Sequence, residues 1–80
     1  MFLRGGDNVQ QYDYSKLLGR MRERGYTQEK LAKNLGISAC SLNLSINNKR
    51  NFRQDEMLMM GKLLGVPASK LQEYFFAHKL

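Results

Sequence analysis

The stretch that decides the fold is QEKLAKNLGISACSLNLSIN, residues 28–47. Apolar residues with a spacing of four lie on both sides of Gly36: Leu31, Leu35, Leu42 and Ile46. This spacing predicts two short helices, each with one apolar stripe, joined by a turn at the glycine. Ala32 is small and lies where the two helices cross, so they can pack closely.

The second of these helices presents a different set of side chains on its outer face. The residues that lie away from its apolar stripe are Cys40, Asn43, Leu44 and Asn47. A short helix with a polar outer face, held by a scaffold, fits the DNA major groove. The stretch therefore predicts sequence-specific DNA binding.

Length and composition restrict the other possibilities. Eighty residues form one domain, which is too small for an elaborate catalytic cavity. The single cysteine excludes an internal disulfide and fits a reducing, intracellular setting. The N-terminus lacks the apolar run of a signal peptide, and the longest apolar run, residues 57–60, is far shorter than a membrane span. We therefore expect a cytoplasmic domain without membrane association.

The positive charge is concentrated on one segment. Residues 15–53 carry nine basic and two acidic residues, whereas residues 54–80 carry three of each. The surplus of basic over acidic residues, which gives the chain its net charge of +6, therefore lies on the segment that contains the two helices. Such a distribution indicates contacts with phosphates; the alternative is a solvated basic face without a partner.

Catalysis and metal binding are not expected. One cysteine and one histidine, His78, cannot complete a zinc site. Asp55 and Glu56 lie at the start of a predicted helix, where negative charge is favourable, and do not read as a catalytic pair. We predict no enzymatic activity, no cofactor, no metal and no small-molecule ligand.

The whole chain is predicted to be all-α, with a flexible arm over residues 1–12 and a folded domain over 13–80. Caps at Asp13, Thr27 and Ser38 mark the first three helix starts. The five predicted helices cover about 14–24, 28–35, 39–47, 55–64 and 68–76. Gly61 lowers the helix propensity of the fourth, which is tolerable where another helix must approach closely.

From about residue 13 to residue 76, the chain resembles the helix-turn-helix domain of the phage repressor and Cro class (XRE-like), and in particular a subgroup from phages and prophages of Gram-positive bacteria. The matching segments are 27–29, 31–32, 35–38, Leu42, 46–47, Lys49 and 63–66, with 12–17 and 74–76 typical of the subgroup. The resemblance implies a compact five-helix bundle of the phage-repressor DNA-binding type, with the helix-turn-helix formed by helices two and three.

Site residues follow from the same resemblance. The base-reading positions are Ala39, Cys40, Asn43 and Leu44. The DNA-backbone positions are Gln28, Ser38, Asn47, Lys49, Arg50 and Arg53. Asn43 can bond an adenine edge, while its apolar neighbours suit thymine methyl groups. Asn48 stands where the class usually has glycine, so the turn after helix three is expected to differ.

The resemblance implies a transcriptional regulator of the repressor or Cro type. Its expected partner is a palindromic double-stranded DNA operator, bound by a homodimer. The candidate dimer surface is Tyr74-Phe75-Phe76 together with Leu80, because three adjacent aromatic side chains cannot all face one core.

Two other classes of function stay open. One is an antitoxin-like or protein-interaction module that uses the same fold to hold a partner protein. The other is a dimeric adaptor without affinity for DNA. A copurifying partner would identify the first, and a gel shift at low salt would separate the second from a DNA-binding protein.

Overall fold

A computed structural model of the chain describes residues 11–78. This part contains five α-helices and no β-strand, as predicted. The helices are α1 (Ser15–Glu23), α2 (Gln28–Leu35), α3 (Ala39–Ile46), α4 (Gln54–Leu64) and α5 (Leu71–Phe75). A 3-10 turn at Ala68–Lys70 directly precedes α5, so the predicted fifth helix is divided into two short parts.

The pair α2 and α3 forms where the sequence predicts it. The hydroxyl of Thr27 accepts a hydrogen bond from the Lys30 N–H at 3.1 Å, and that of Ser38 accepts one from the Ser41 N–H at 3.0 Å. Each hydroxyl satisfies a backbone donor that the first helical turn leaves unpaired. Gly36 ends α2 with φ of 75°, a left-handed conformation that glycine adopts without steric cost.

The core lies between all five helices and the segments next to them. Its buried apolar side chains are Tyr14, Leu17, Met21, Leu31, Ala32, Leu42, Met60, Leu64, Val66 and Phe75. Ala32 is 1% exposed, as its predicted place at the helix crossing requires. A β-carbon on Gly61 would lie 3.1 Å from a methyl carbon of Leu71, so the predicted close approach at Gly61 is made by the start of α5.

The segment at Tyr12 is hydrogen-bonded both to the turn after α3 and to the C-terminal end of the described chain. The backbone N–H of Tyr12 donates to the side-chain oxygen of Asn48 at 2.8 Å, and the Asn48 amide donates to the Tyr12 carbonyl at 2.9 Å. Tyr12 also forms an antiparallel bridge with His78, and the Asp13 N–H donates to the Ala77 carbonyl. Tyr12 therefore belongs to the packed structure; residues 1–10 of the predicted arm lie outside the described residues.

The structure explains why asparagine can replace the usual glycine at position 48. Its φ is 62°, within the left-handed region where asparagine is better tolerated than most residues. The side chain is buried and hydrogen-bonded through both amide atoms. The turn thus keeps the conformation that glycine would allow, and the added side chain ties it to Tyr12.

The C-terminal aromatic residues do not share one surface, so the predicted dimer patch needs correction. Phe75 is 2% exposed and meets Phe52 edge-on with ring centroids 5.2 Å apart. Tyr74 is half-buried, and only Phe76 is exposed. Phe75 is a core residue because its ring packs against Phe52 and the buried apolar cluster. Leu80 lies outside the described residues.

Among residues 11–78, no helix is both long enough and apolar enough to cross a membrane.

Candidate functional site

The predicted base-reading residues share the outer face of α3. All four, Ala39, Cys40, Asn43 and Leu44, are exposed. Leu44 leaves 39% of its surface in solvent, and the thiol of Cys40 is free. This face carries no charged side chain, because α3 contains none.

The polar groups of this face are already paired with each other. The Asn43 amide donates to Gln28 Oε1 at 3.1 Å, which links α3 to the start of α2. Asn47 donates to the backbone and side-chain oxygens of Asn43 at 2.9 and 3.2 Å. These bonds use one of the two N–H donors and one of the two oxygen lone pairs of the Asn43 amide, so they orient the side chain within the free protein.

The predicted phosphate-contacting residues differ in their exposure and in the bonds that they already make. Ser38 caps α3 through its hydroxyl. Lys49 is exposed, and Arg53 is exposed with its Nε 3.4 Å from Asp55. Arg50 points inward instead, so its guanidinium is less accessible to a phosphate than the side chains of Lys49 and Arg53.

Arg50 is the centre of a partly buried ionic network. Its two terminal nitrogens donate to both carboxylate oxygens of Glu56, at 3.1 and 2.7 Å, and one also donates to the Ser45 hydroxyl at 2.6 Å. Glu56 is 4% exposed and also accepts from the Arg53 N–H at 2.9 Å. This network fixes the loop between α3 and α4.

The charges of this network shift each other's ionisation. Burial by itself raises the pKa of Glu56, but the hydrogen bonds from Arg50 and from the Arg53 backbone outweigh it, so the pKa is lowered. The hydrogen bond to Glu56 raises the pKa of Arg50. Both groups are therefore charged at neutral pH, and the pair is an ion pair.

An apolar groove lies between α4 and the residues around α5. Its volume is about 370 Å³, and its lining residues are Gln54, Met57, Leu58, Leu71 and Phe76. Leu58 is 49% exposed and Phe76 is 41% exposed, which is unusual for large apolar side chains placed side by side. We define these five residues as the α4–α5 groove.

The sequence contained a signal for this groove. Residues 57–60 read Met-Leu-Met-Met within one helix, and four consecutive helical positions cannot all face a single core. Met60 is fully buried, Met57 is half-buried, and Leu58 and Met59 are exposed. The surplus apolar residues therefore mark a second surface.

No metal site is formed within residues 11–78, where no three histidine, cysteine, aspartate or glutamate side chains cluster.

Two comparisons with known proteins found a match to this chain. The model of the family DUF739, described as a protein of unknown function, matches residues 10–78. The solution structure of the modulator of repression (MOR) of the temperate bacteriophage TP901-1 from Lactococcus lactis is 35% identical, with a TM-score of 0.69. The match covers 81% of this chain and 88% of that chain. No curated protein sequence matches. The chain belongs to the DUF739 family.

Proposed function

We propose that this protein regulates phage repression by binding another regulatory protein, a repressor, in the cytoplasm of the host bacterium. The observation that carries the proposal is the α4–α5 groove, on a chain that is 35% identical to a phage modulator of repression. This is the protein-interaction alternative derived from the sequence, with a specific surface and partner.

The groove has the features of a protein-binding site. Apolar side chains at the centre of an interface provide most of its binding energy when they become fully desolvated. Leu58 and Phe76 are each about half exposed and are the natural anchors. The groove residues carry no charge, so a partner's apolar side chain enters without desolvating an ion.

The outer face of α3 is less suited to the same role. Its exposed side chains are mainly polar, and the bonds of Asn43 to Gln28 and Asn47 hold them in a network on the surface. Its one large apolar side chain is Leu44, without an adjacent groove residue. A partner that needs an apolar cleft therefore finds it between α4 and α5.

The substitution Leu58→Glu should weaken repressor binding about 30-fold, because it places a charge where the interface excludes water. The measurement is isothermal titration calorimetry with the purified repressor encoded by the same phage or prophage genome. The matched control is Met59→Glu, which adds the same charge at the adjacent exposed position outside the groove. Equal affinities of the two variants would contradict the role of the groove.

Sequence-specific DNA binding is the second candidate function. The observation in its favour is that α2 and α3 are capped at Thr27 and Ser38 and that α3 exposes its full outer face. Exposed cations, Lys49 and Arg53, follow α3 directly. The Asn43 amide has a second N–H and a second oxygen lone pair for a base, while its bonds with Gln28 and Asn47 orient it.

This candidate predicts a definite dependence on salt. Two to four phosphate contacts would give a slope of about −2 to −4 for the logarithm of affinity against the logarithm of salt concentration. Fluorescence anisotropy with duplexes from random-sequence selection, at several salt concentrations, measures the slope. Lys49→Gln should reduce it by about one. A slope near zero would exclude DNA binding and leave the protein-interaction function.

A further inference from the structure

Arginines crowd the C-terminal end of α1. Arg20 and Arg22 lie in its last turn, and Arg24 follows. Arg20 is held in place, because its Nε donates to the Leu64 carbonyl at 2.8 Å and its Nη2 to the Gly65 carbonyl at 3.0 Å. Its Nη1 also lies 3.4 Å from Oε1 of the exposed Glu23, in a long ion pair. These carbonyls end α4, where the helix dipole favours a cation. Arg20 is therefore a fixed positive charge between α1 and α4.

Arg24 lies beside Arg20 without a partner for its side chain. The Arg24 guanidinium rests against Gly65, in the space that a β-carbon there would occupy, and Arg20 Nη2 lies 3.3 Å from the same point. Within residues 11–78, the Arg24 side chain makes no hydrogen bond or ion pair. Two like charges are thus close together, and the N–H donors of Arg24, an exposed residue, are not used by any other side chain or carbonyl in this part of the chain.

We propose that Arg20 and Arg24 form a binding site for a carboxylate of the partner protein, an inference that rests on the proposed function. A guanidinium binds a carboxylate through two parallel hydrogen bonds, a geometry that an aspartate or glutamate side chain satisfies. The bound anion also relieves the repulsion between the two guanidinium groups. The partner therefore carries an acidic residue that meets this end of α1.

The position of the pair favours a protein carboxylate over a DNA phosphate. Arg53 and Gly65 cap the two ends of α4 and are about 18 Å apart at 1.5 Å per residue. Arg53, an exposed cation predicted to contact phosphates, is at the first end, whereas Arg20 and Arg24 lie against Gly65 at the second. The pair is therefore separate from the residues predicted to contact phosphates around α3.

The test is an NMR titration of the nitrogen-15-labelled protein with a short acidic peptide, N-acetyl-Glu-Asp-Glu-amide. We expect the Nε–H signals of Arg20 and Arg24 to shift to saturation, and Arg24→Gln to weaken peptide binding about tenfold, because charged hydrogen bonds are lost. Arg22→Gln is the matched control, since it removes an equal charge from the same helix end and should leave the affinity unchanged. Circular dichroism verifies that both variants are folded.

Three results would overturn the site. The first is an equal loss of peptide affinity in the Arg24 and Arg22 variants, which would reveal general charge attraction. The second is a shift of these arginine signals by duplex DNA and not by the peptide. The third is an affinity for the repressor that Arg24→Gln leaves unchanged. This result would rule out the carboxylate site but would be compatible with the proposed function. Peptide binding without any repressor binding would instead overturn the proposed function and spare the carboxylate site.

Discussion

Replacing Glu56 with alanine should lower the free energy of unfolding by about 3 kcal/mol, because it leaves the partly buried Arg50 guanidinium without its carboxylate and the Arg53 N–H without its acceptor. The value lies at the lower end for a broken buried pair, since the Arg50 side chain is 26% exposed and regains some hydration. A domain of this size is stable by only about 4–12 kcal/mol, so the loss is large. Urea unfolding followed by circular dichroism measures it.

The control for this substitution is an exposed ion pair. Glu73 pairs with Lys16 at 2.7 Å, as closely as Glu56 pairs with Arg50, but both partners are more than half exposed. Glu73→Gln should therefore leave the urea midpoint nearly unchanged. If Glu56→Ala and Glu73→Gln had equal effects, the burial of the Arg50–Glu56 pair would contribute nothing to stability.

The pH dependence gives a second measure of the same pair. Because the pKa of Glu56 is lower in the folded chain than the ordinary value of 4.5, its contribution is fully present above that value. The contribution is lost as pH falls through the lowered, folded-state pKa. Stability should therefore decrease below about pH 4.5, and Glu56→Gln should flatten that decrease. The measurement is the urea midpoint between pH 3 and pH 7.

The helices could be predicted because their signals are local. Thr27, Ser38 and Gly36 act on backbone groups within four residues, so the sequence determines where α2 and α3 begin and where α2 ends. The prediction of Asp13 as the N-cap of α1 is wrong by one residue: the N-cap is Tyr14, and the Asp13 carboxylate accepts from the N–H of Ser15, where the helix begins. Such interactions need no tertiary information.

The partners of charged residues could not be predicted in the same way. The sequence predicts a favourable charge at a helix N-terminus for Glu56 and a phosphate contact for Arg50. Each role is compatible with the local sequence. The turn at Asn48, however, brings Arg50 back toward α4, where it forms an ion pair with Glu56. Charge type and spacing do not reveal which side chains a loop turns inward.

The aromatic residues at positions 74–76 illustrate a further limit. Their number exceeded what one small core could hold, and that reasoning correctly required an exposed member. It could not determine which one, because the short 3-10 turn before α5 sets the rotation of that helix. Phe75 is buried, and Phe76 lines the α4–α5 groove instead.

Replacing Asn48 with alanine should lower the free energy of unfolding by about 2–4 kcal/mol, because two causes add. The first is the loss of both hydrogen bonds to the Tyr12 backbone, at 2.8 and 2.9 Å, in a buried position. The second is the strain of a β-carbon at φ of 62° without the local bonds that asparagine supplies. Urea unfolding of the two proteins at neutral pH measures the difference.

The variant Asn48→Gly separates these two causes. Glycine adopts the same φ without strain, so its cost should come from the lost hydrogen bonds and should be about 1 kcal/mol smaller than that of alanine. Hydrogen exchange supplies a local readout, since the Tyr12 N–H has Asn48 as its acceptor. That amide should exchange rapidly in both variants, while the amides within α2 stay protected under native conditions. Protection of the Tyr12 amide in Asn48→Gly would mean that the bridge to His78 alone holds this segment, and the Asn48 side chain would then have no role in fastening it.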